Sequence, residues 1–150
     1  DLSTVLQGGW WILKGDELYG ELYRFVATQV APARVSDAMA IDLAEGFVCD
    51  YVATRVKLDR GELHAARRWL HDALAEVNFQ LLHELRQREG RFSMPDARRL
   101  ERWQDPRAAA LAVGSDHDAA SVRAAIDHSA EALRGLMREL VGERWRWPLA

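Results

Sequence analysis

The chain has 150 residues, about half of them apolar, and its 23 acidic and 20 basic side chains leave a formal net charge of −3. One core can bury most of the surface of a chain this long, which excludes two full domains. The slight acidic excess excludes the broad basic face with which a dedicated nucleic-acid binder meets phosphates, so nucleic acid is not an expected partner. Only Lys14 and Lys57 are lysines; the other basic residues are arginines, and with abundant alanine this reflects coding bias as readily as anion recognition. The single cysteine, Cys49, lies among Phe47, Val48 and Val52 and forms no internal disulfide, which fits a reducing, cytoplasmic setting. No apolar run approaches the ~18 residues of a membrane span, and the N-terminus lacks the layout of a signal peptide.

Residues 1–14 end in the run Trp10-Trp11-Ile12-Leu13 between Gly8-Gly9 and Gly15, which predicts an extended segment that needs a partner for its apolar side chains. That partner is either the bundle that follows or a domain that precedes it. The chain begins at Asp1, as a piece of a longer protein would. Residues 15–150 read as one helical bundle domain. Asp16 caps a first helix with Leu18, Leu22, Phe25, Val26 and Val30 at helical spacing, ended by Ala31-Pro32-Ala33. Ser36 or Asp37 opens a second, whose buried stripe is expected at Ile41, Ala44, Phe47/Val48, Tyr51/Val52 and Val56.

The longest helical pattern is Asp59 to Gly90, about thirty residues or roughly 45 Å. Its apolar face is Leu63, Ala66, Leu70, Ala73/Leu74, Val77, Leu81 and Leu85. Asp59 and Glu62 have the spacing of a capping box, Leu58 and Leu63 that of a hydrophobic staple, and Gly90 that of a left-handed C-terminal residue. A fourth helix is expected from the segment RFSMPDARRLERWQD, with Leu100 and Trp103 as apolar contacts, restarting at Asp105-Pro106 and ending at Gly114. The fifth, capped by Ser115, Asp116 or Asp118, carries Val122, Ile126, Ala130, Leu133, Met137 and Leu140 and stops at Gly142. The fold class is therefore all-α, an antiparallel up-and-down bundle of about five helices with a short extended N-terminal segment.

Three constellations hold residue types that could carry chemistry. His64 and His71 share a helix face and His83 follows twelve residues on, but bundle metal sites use Glu-x-x-His pairs on facing helices and the chain has none, so no metal is expected. Gly114-Ser115 and Asp116-His117-Asp118 are contiguous, whereas a nucleotide-metal site needs its Gly-Ser loop and paired carboxylates on separate elements. Arg123 and His128 have the R-x4-H spacing that resembles the motif of HEPN helical ribonucleases, with Ala124 where that family has a polar residue and with a surface pair as the plain alternative.

The most informative stretch is YVATRVKLDRGELHAARRWL, from Tyr51 to Leu70. Its aromatic helix bearing Lys57, then Arg60-Gly61-Glu62 and Ala65/Ala66, and later Arg98-Arg99-Leu100-Glu101-Arg102-Trp103, resembles the C-terminal helical domain of nucleotidyltransferases that modify small antibiotics, the aminoglycoside and lincosamide group of the polymerase-beta superfamily. The resemblance spans roughly residues 36 to 140 and makes residues 1–14 the tail of a catalytic domain. It implies a substrate-binding module of the antibiotic-resistance type that forms one wall of a cleft for a small-molecule acceptor. ATP or another NTP with Mg would sit on the catalytic domain, and no cofactor on this chain. The catalytic Gly-Ser loop and paired Asp residues are absent, so no transfer chemistry is expected of this chain alone.

On that resemblance Asp50, Thr54, Lys57, Arg60 and Glu62 form the expected substrate-binding stripe, with Lys57 and Arg60 toward phosphates and Asp50 or Glu62 toward acceptor amines or hydroxyls. The five are expected to line one concave surface. The structural alternatives are a capping box for Glu62, a helix-end charge for Arg60 and close helix packing for Gly61. The other functional class is a free-standing HEPN-like bundle for RNA processing or protein interaction, resting on Arg123 and His128.

Overall fold

The computed structural model of the chain describes Leu6 and residues 10–29, 34–91, 105–111, 114 and 116–149. Its regular elements are α1 Asp16–Gln29, α2 Asp37–Asp59, α3 Leu63–Trp69, a π-helical turn Leu70–Ala75, α4 Glu76–Arg88, α5 Pro106–Ala110, α6 Ala119–Val141 and a 3₁₀ turn Gly142–Arg144. Among the described residues all regular structure is helical, as expected for an all-α bundle. Most of the expected fourth helix, including Arg98–Trp103, lies outside the described residues, as do Gly8-Gly9, Val30–Ala33 and Ser115.

The ends of these helices follow from local chemistry. The Ser36 side chain accepts from the Met39 amide (3.2 Å), which settles the start of α2. At its other end Glu62 N donates to Lys57 O and Gly61 N to Leu58 O, both at 2.9 Å, the paired bonds of a Schellman motif with Gly61 at φ +78. Gly61 is there for its left-handed backbone and not for close packing, since an added Cβ would meet nothing within 4 Å. Arg91 N to Arg86 O (2.9 Å) and Gly90 N to Gln87 O (3.1 Å) repeat the motif after α4, as the sequence led one to expect of Gly90. Asp118 caps α6 by accepting from Ser121 N at 2.9 Å.

The long helical pattern is real but shorter at its start. Asp59 is the last residue of α2, Glu62 is the N-cap of α3 without a side-chain cap bond, and the rod begins at Leu63. The capping box is therefore not formed. The rod continues through the π turn to Arg88, and the turn places Leu70, Leu74 and Ala75 inward together. An extra residue inserted in a helical turn shifts the phase of the stripe, which lets one continuous rod keep an inward face on both sides of it.

Phe47 of α2, Leu70 and Leu74 of the π turn, Leu81 and Leu82 of α4, and Ile126, Leu133 and Met137 of α6 fill the core. Links across the interfaces fix the directions. Tyr51 meets Asp127 (2.9 Å) and Asp59 meets Arg123 (2.5 Å), so α2 and α6 are antiparallel. Asn78 bonds Ser129 O (2.9 Å) and Arg88 bonds Leu140 O (3.2 Å), so α4 and α6 run parallel.

Two expectations about helix faces are corrected. On α2 the inward residues are Ala40, Ala44, Phe47, Val48, Tyr51, Thr54 and Leu58, while Val52 and Val56 are exposed. And α1, expected as the first bundle helix, leaves Leu18, Leu22 and Phe25 exposed, and among the described residues no other element packs extensively on it. Instead α1 gathers its own small cluster, with Trp10 edge-on to Tyr23 at 5.4 Å and Tyr19 beside it. In the expected extended segment Leu6 is helical and buried, and Trp10–Leu13 is irregular without strand pairing.

Candidate functional site

The five residues of the expected stripe do not share one cleft. Thr54 is fully buried and its hydroxyl donates to Asp50 O at 2.6 Å, a bond inside its own helix that satisfies it in the core. Lys57 stacks its ammonium 4.6 Å over the Trp69 ring, so it seals the α2–α3 seam. Asp50 is half-buried. Arg60 and Glu62 are exposed on the Schellman turn, at the end of the bundle where α6 begins. The stripe is the packing seam of α2 as it passes over α3, followed by a solvated turn. Thr54 cannot touch a ligand there.

Nor are Arg123 and His128 brought together. Five residues on one helix are about 140° apart, and Arg123 is held by Asp59 at 2.5 Å while His128 lines a different surface.

That surface is a pocket of about 340 Å³ between α5 and α6. Leu111, Ala132 and Leu136 form its apolar floor, and His128, Glu131, Glu139 and Arg107 its rim. Gly135 sits in the wall, where an added Cβ would meet nothing within 4 Å, so the missing side chain leaves the space open. Residues 128, 132, 135 and 139 follow the three-and-four spacing of one helix face. The volume is within the roughly 300–1,000 Å³ of small-molecule sites.

A charge cluster fixes α5 against this face. Asp105 is buried and accepts from Arg86 Nη1 (2.6 Å) and from Arg107 Nη2 (2.8 Å) and Nε (2.9 Å). Its other carboxylate role is local: Oδ1 accepts from Arg107 N at 3.1 Å and caps the short helix that Pro106 opens. The Arg107 guanidinium, working against burial and helped by Arg86, holds the Asp105 carboxyl far below the usual range. Arg107 also reaches Glu89 (2.8 Å) and Glu139 (3.0 Å), and Asp105 and Glu89 push its own pKa up. Arg107 is surrounded by three carboxylates; of the two acids on the rim, Glu139 is paired with Arg107 and Glu131 with Arg134 at 3.2 Å, and both side chains keep about half or more of their surface in solvent, where a second cation can reach them.

The helix restart expected at Asp105-Pro106 is where α5 begins, and the signal for this site that periodicity passes over is Gly135, a glycine inside the strongest stripe of the chain. The ion pair of Arg86 with Asp105 crosses 19 positions and has no local signature.

Among the described residues no three His, Cys, Asp or Glu side chains converge as metal ligands would, and no helix is long and apolar enough to cross a membrane. Comparison with protein-family models, with curated proteins and with solved structures finds no match for this chain.

Proposed function

We propose that the chain is a non-catalytic helical module that binds a small cationic molecule with an apolar body. The observation that carries this reading is the α5–α6 pocket, with its apolar floor, its Glu131 and Glu139 rim and the room left by Gly135. An amine would share Glu131 with Arg134 and Glu139 with Arg107 while the hydrocarbon part covers Leu111 and Leu136. Of the acceptors that the sequence resemblance implies, a lincosamide, with one amine and an apolar body, has this chemistry, and an aminoglycoside, polar throughout, has only its cationic part. The narrower proposal is that the module holds the acceptor for a catalytic domain carrying ATP or another NTP with Mg. Arg60 and Glu62 are then the contacts toward that domain or its nucleotide, because both are exposed and neither is engaged in an ion pair among the described residues.

Isothermal titration with a lincosamide and an aminoglycoside tests the proposal. At least one should bind the wild-type chain, and Gly135→Leu, which fills the pocket from a position free of neighbours, should abolish binding without lowering the melting temperature. No heat from either compound, or binding untouched by Gly135→Leu, overturns it.

A further inference from the structure

The other flank of α6 carries a second pocket of opposite character. Gly142, at φ +61, ends α6 and turns the chain through Gly142–Arg144 into an extended tail. In an extended segment alternate residues face alternate sides, so the run Arg144-Trp145-Arg146-Trp147 sends both indoles toward the core. Trp147 stands edge-on to Tyr51 at 5.3 Å and to Phe47 at 6.5 Å, and Trp145 edge-on to Trp147 at 6.3 Å. Asp37 anchors the start of the tail through Arg144 at 2.7 Å. Between tail and helix lies a cavity of about 270 Å³ walled by these two indoles and by Arg134, Arg138 and Arg146, with Glu143 as its one acid.

The charges there are not balanced. Arg146 pairs with Glu143, and Arg134 reaches Glu131 at 3.2 Å while its guanidinium lies 4.5 Å over the Trp147 ring. Stacking leaves the Arg134 Nε shielded from water and donating to nothing. Arg138, one helical turn further along the same face, makes no ion pair among the described residues. In a chain whose net charge is −3 this is a local excess of guanidinium beside two half-buried indoles.

We infer that this pocket binds a mononucleotide-sized aromatic phosphate. Arg138 and Arg146 take the phosphate through the paired N–H donors that match its oxygens, and the ring lies against Trp145 and Trp147. At about 270 Å³ the cavity falls just under the roughly 300 Å³ lower edge of small-molecule sites, which leaves room for one nucleotide at most and not for a dinucleotide or a duplex. The inference does not depend on the cation pocket on the other side of α6.

Titration calorimetry of the full chain at low salt, with AMP, adenosine, inorganic phosphate and a single-stranded oligonucleotide as probes, decides it. AMP should bind about tenfold or more tightly than adenosine or phosphate alone, since each lacks half of the contacts. Arg138→Ala should weaken AMP by about tenfold with an unchanged melting temperature, because Arg138 holds no other group, and Arg138→Lys should restore part of the loss. Gly135→Leu should leave AMP binding as it is. Equal affinity for phosphate and AMP, binding of the oligonucleotide alone, no AMP binding at millimolar concentration, or an Arg138→Ala chain that binds as wild type each overturns the proposal.

Discussion

Two acidic residues show how much a carboxylate's surroundings decide. Asp105 has no solvent-exposed side-chain surface and is shared by Arg86, itself nearly buried, and Arg107. Removing it takes away the anion around which both guanidinia are arranged, and breaking a buried pair costs about 3–5 kcal/mol. Asp105→Ala is therefore expected to lose about 3 kcal/mol or more in urea denaturation. A loss under 1 kcal/mol would mean that the cluster is ornamental to stability. Glu62 is the opposite case. Its spacing from Asp59 suggested a cap worth about 1 kcal/mol, but its carboxylate caps nothing and is exposed. Glu62→Ala should stay within about 0.5 kcal/mol of wild type, so any ligand affinity that it removes can be read as contact and not as unfolding.

At the scale of elements, what was legible in the sequence was what local chemistry determines. Ser36, Gly90, Asp118 and Gly142 each mark a helix end because a side-chain acceptor or a positive φ is needed at that residue, whereas Gly61, which ends α2 in the same way, read as a close-packing glycine. The inward face of α6 was equally plain, since its large apolar residues occupy one stripe. The face of α2 was not, because Ile41, Leu43, Val48, Val52 and Val56 surround the helix, and the deciding inward residue is a threonine that bonds its own backbone. Thr54 consequently read as a site residue. The π turn left no pattern, because it changes phase inside a stripe broad enough to hide the shift. The pocket by α5 depends on an ion pair between distant positions and on an absent side chain, neither of which periodicity reports. The stripe of α1 was legible as a helix and misleading as packing: periodicity states that a face is apolar, not what covers it. From this follows an expectation for the isolated bundle. A chain of residues 34–150 keeps Arg34 and the Val35 amide on Glu84 (3.2 and 2.9 Å) and gives up the buried Leu6 and α1, a helix that packs extensively on no bundle element among the described residues. Its melting temperature should lie within about 2 °C of the full chain, where 1 kcal/mol corresponds to roughly 2–8 °C. A drop of 10 °C in calorimetry would show that α1 contributes to the core after all.

For the molecule as a whole the ion pairs determine the response to acid. Burial opposes the charge on Glu84, yet Arg88, the Val35 amide and Arg34 together hold its carboxyl below the ordinary range. Glu89 is lowered chiefly by Arg107, Asp37 by Arg88 and Arg144, and Asp105 by Arg107. In the unfolded chain these groups regain ordinary values of about 3.9 for Asp and 4.3 for Glu. Above those values both states are ionised and the stabilisation is fully present; as pH falls toward the folded values the unfolded chain binds protons that the folded one does not, and the stabilisation is lost. The raised Arg55, Arg88 and Arg107 titrate far above neutral pH and add no slope between pH 5 and 8. Self-repulsion among twenty Lys and Arg residues steepens the acid limb once their partners are neutral. Calorimetry across pH 2–8 should therefore show a plateau of melting temperature from about pH 5 upward and a fall that begins near pH 4. Asp105→Asn should shift the plateau down and also flatten the acid limb, because unfolding then takes up as much as about one proton fewer near pH 3. Parallel acid limbs in the two proteins would place the titrating charge elsewhere than in the Asp105 cluster.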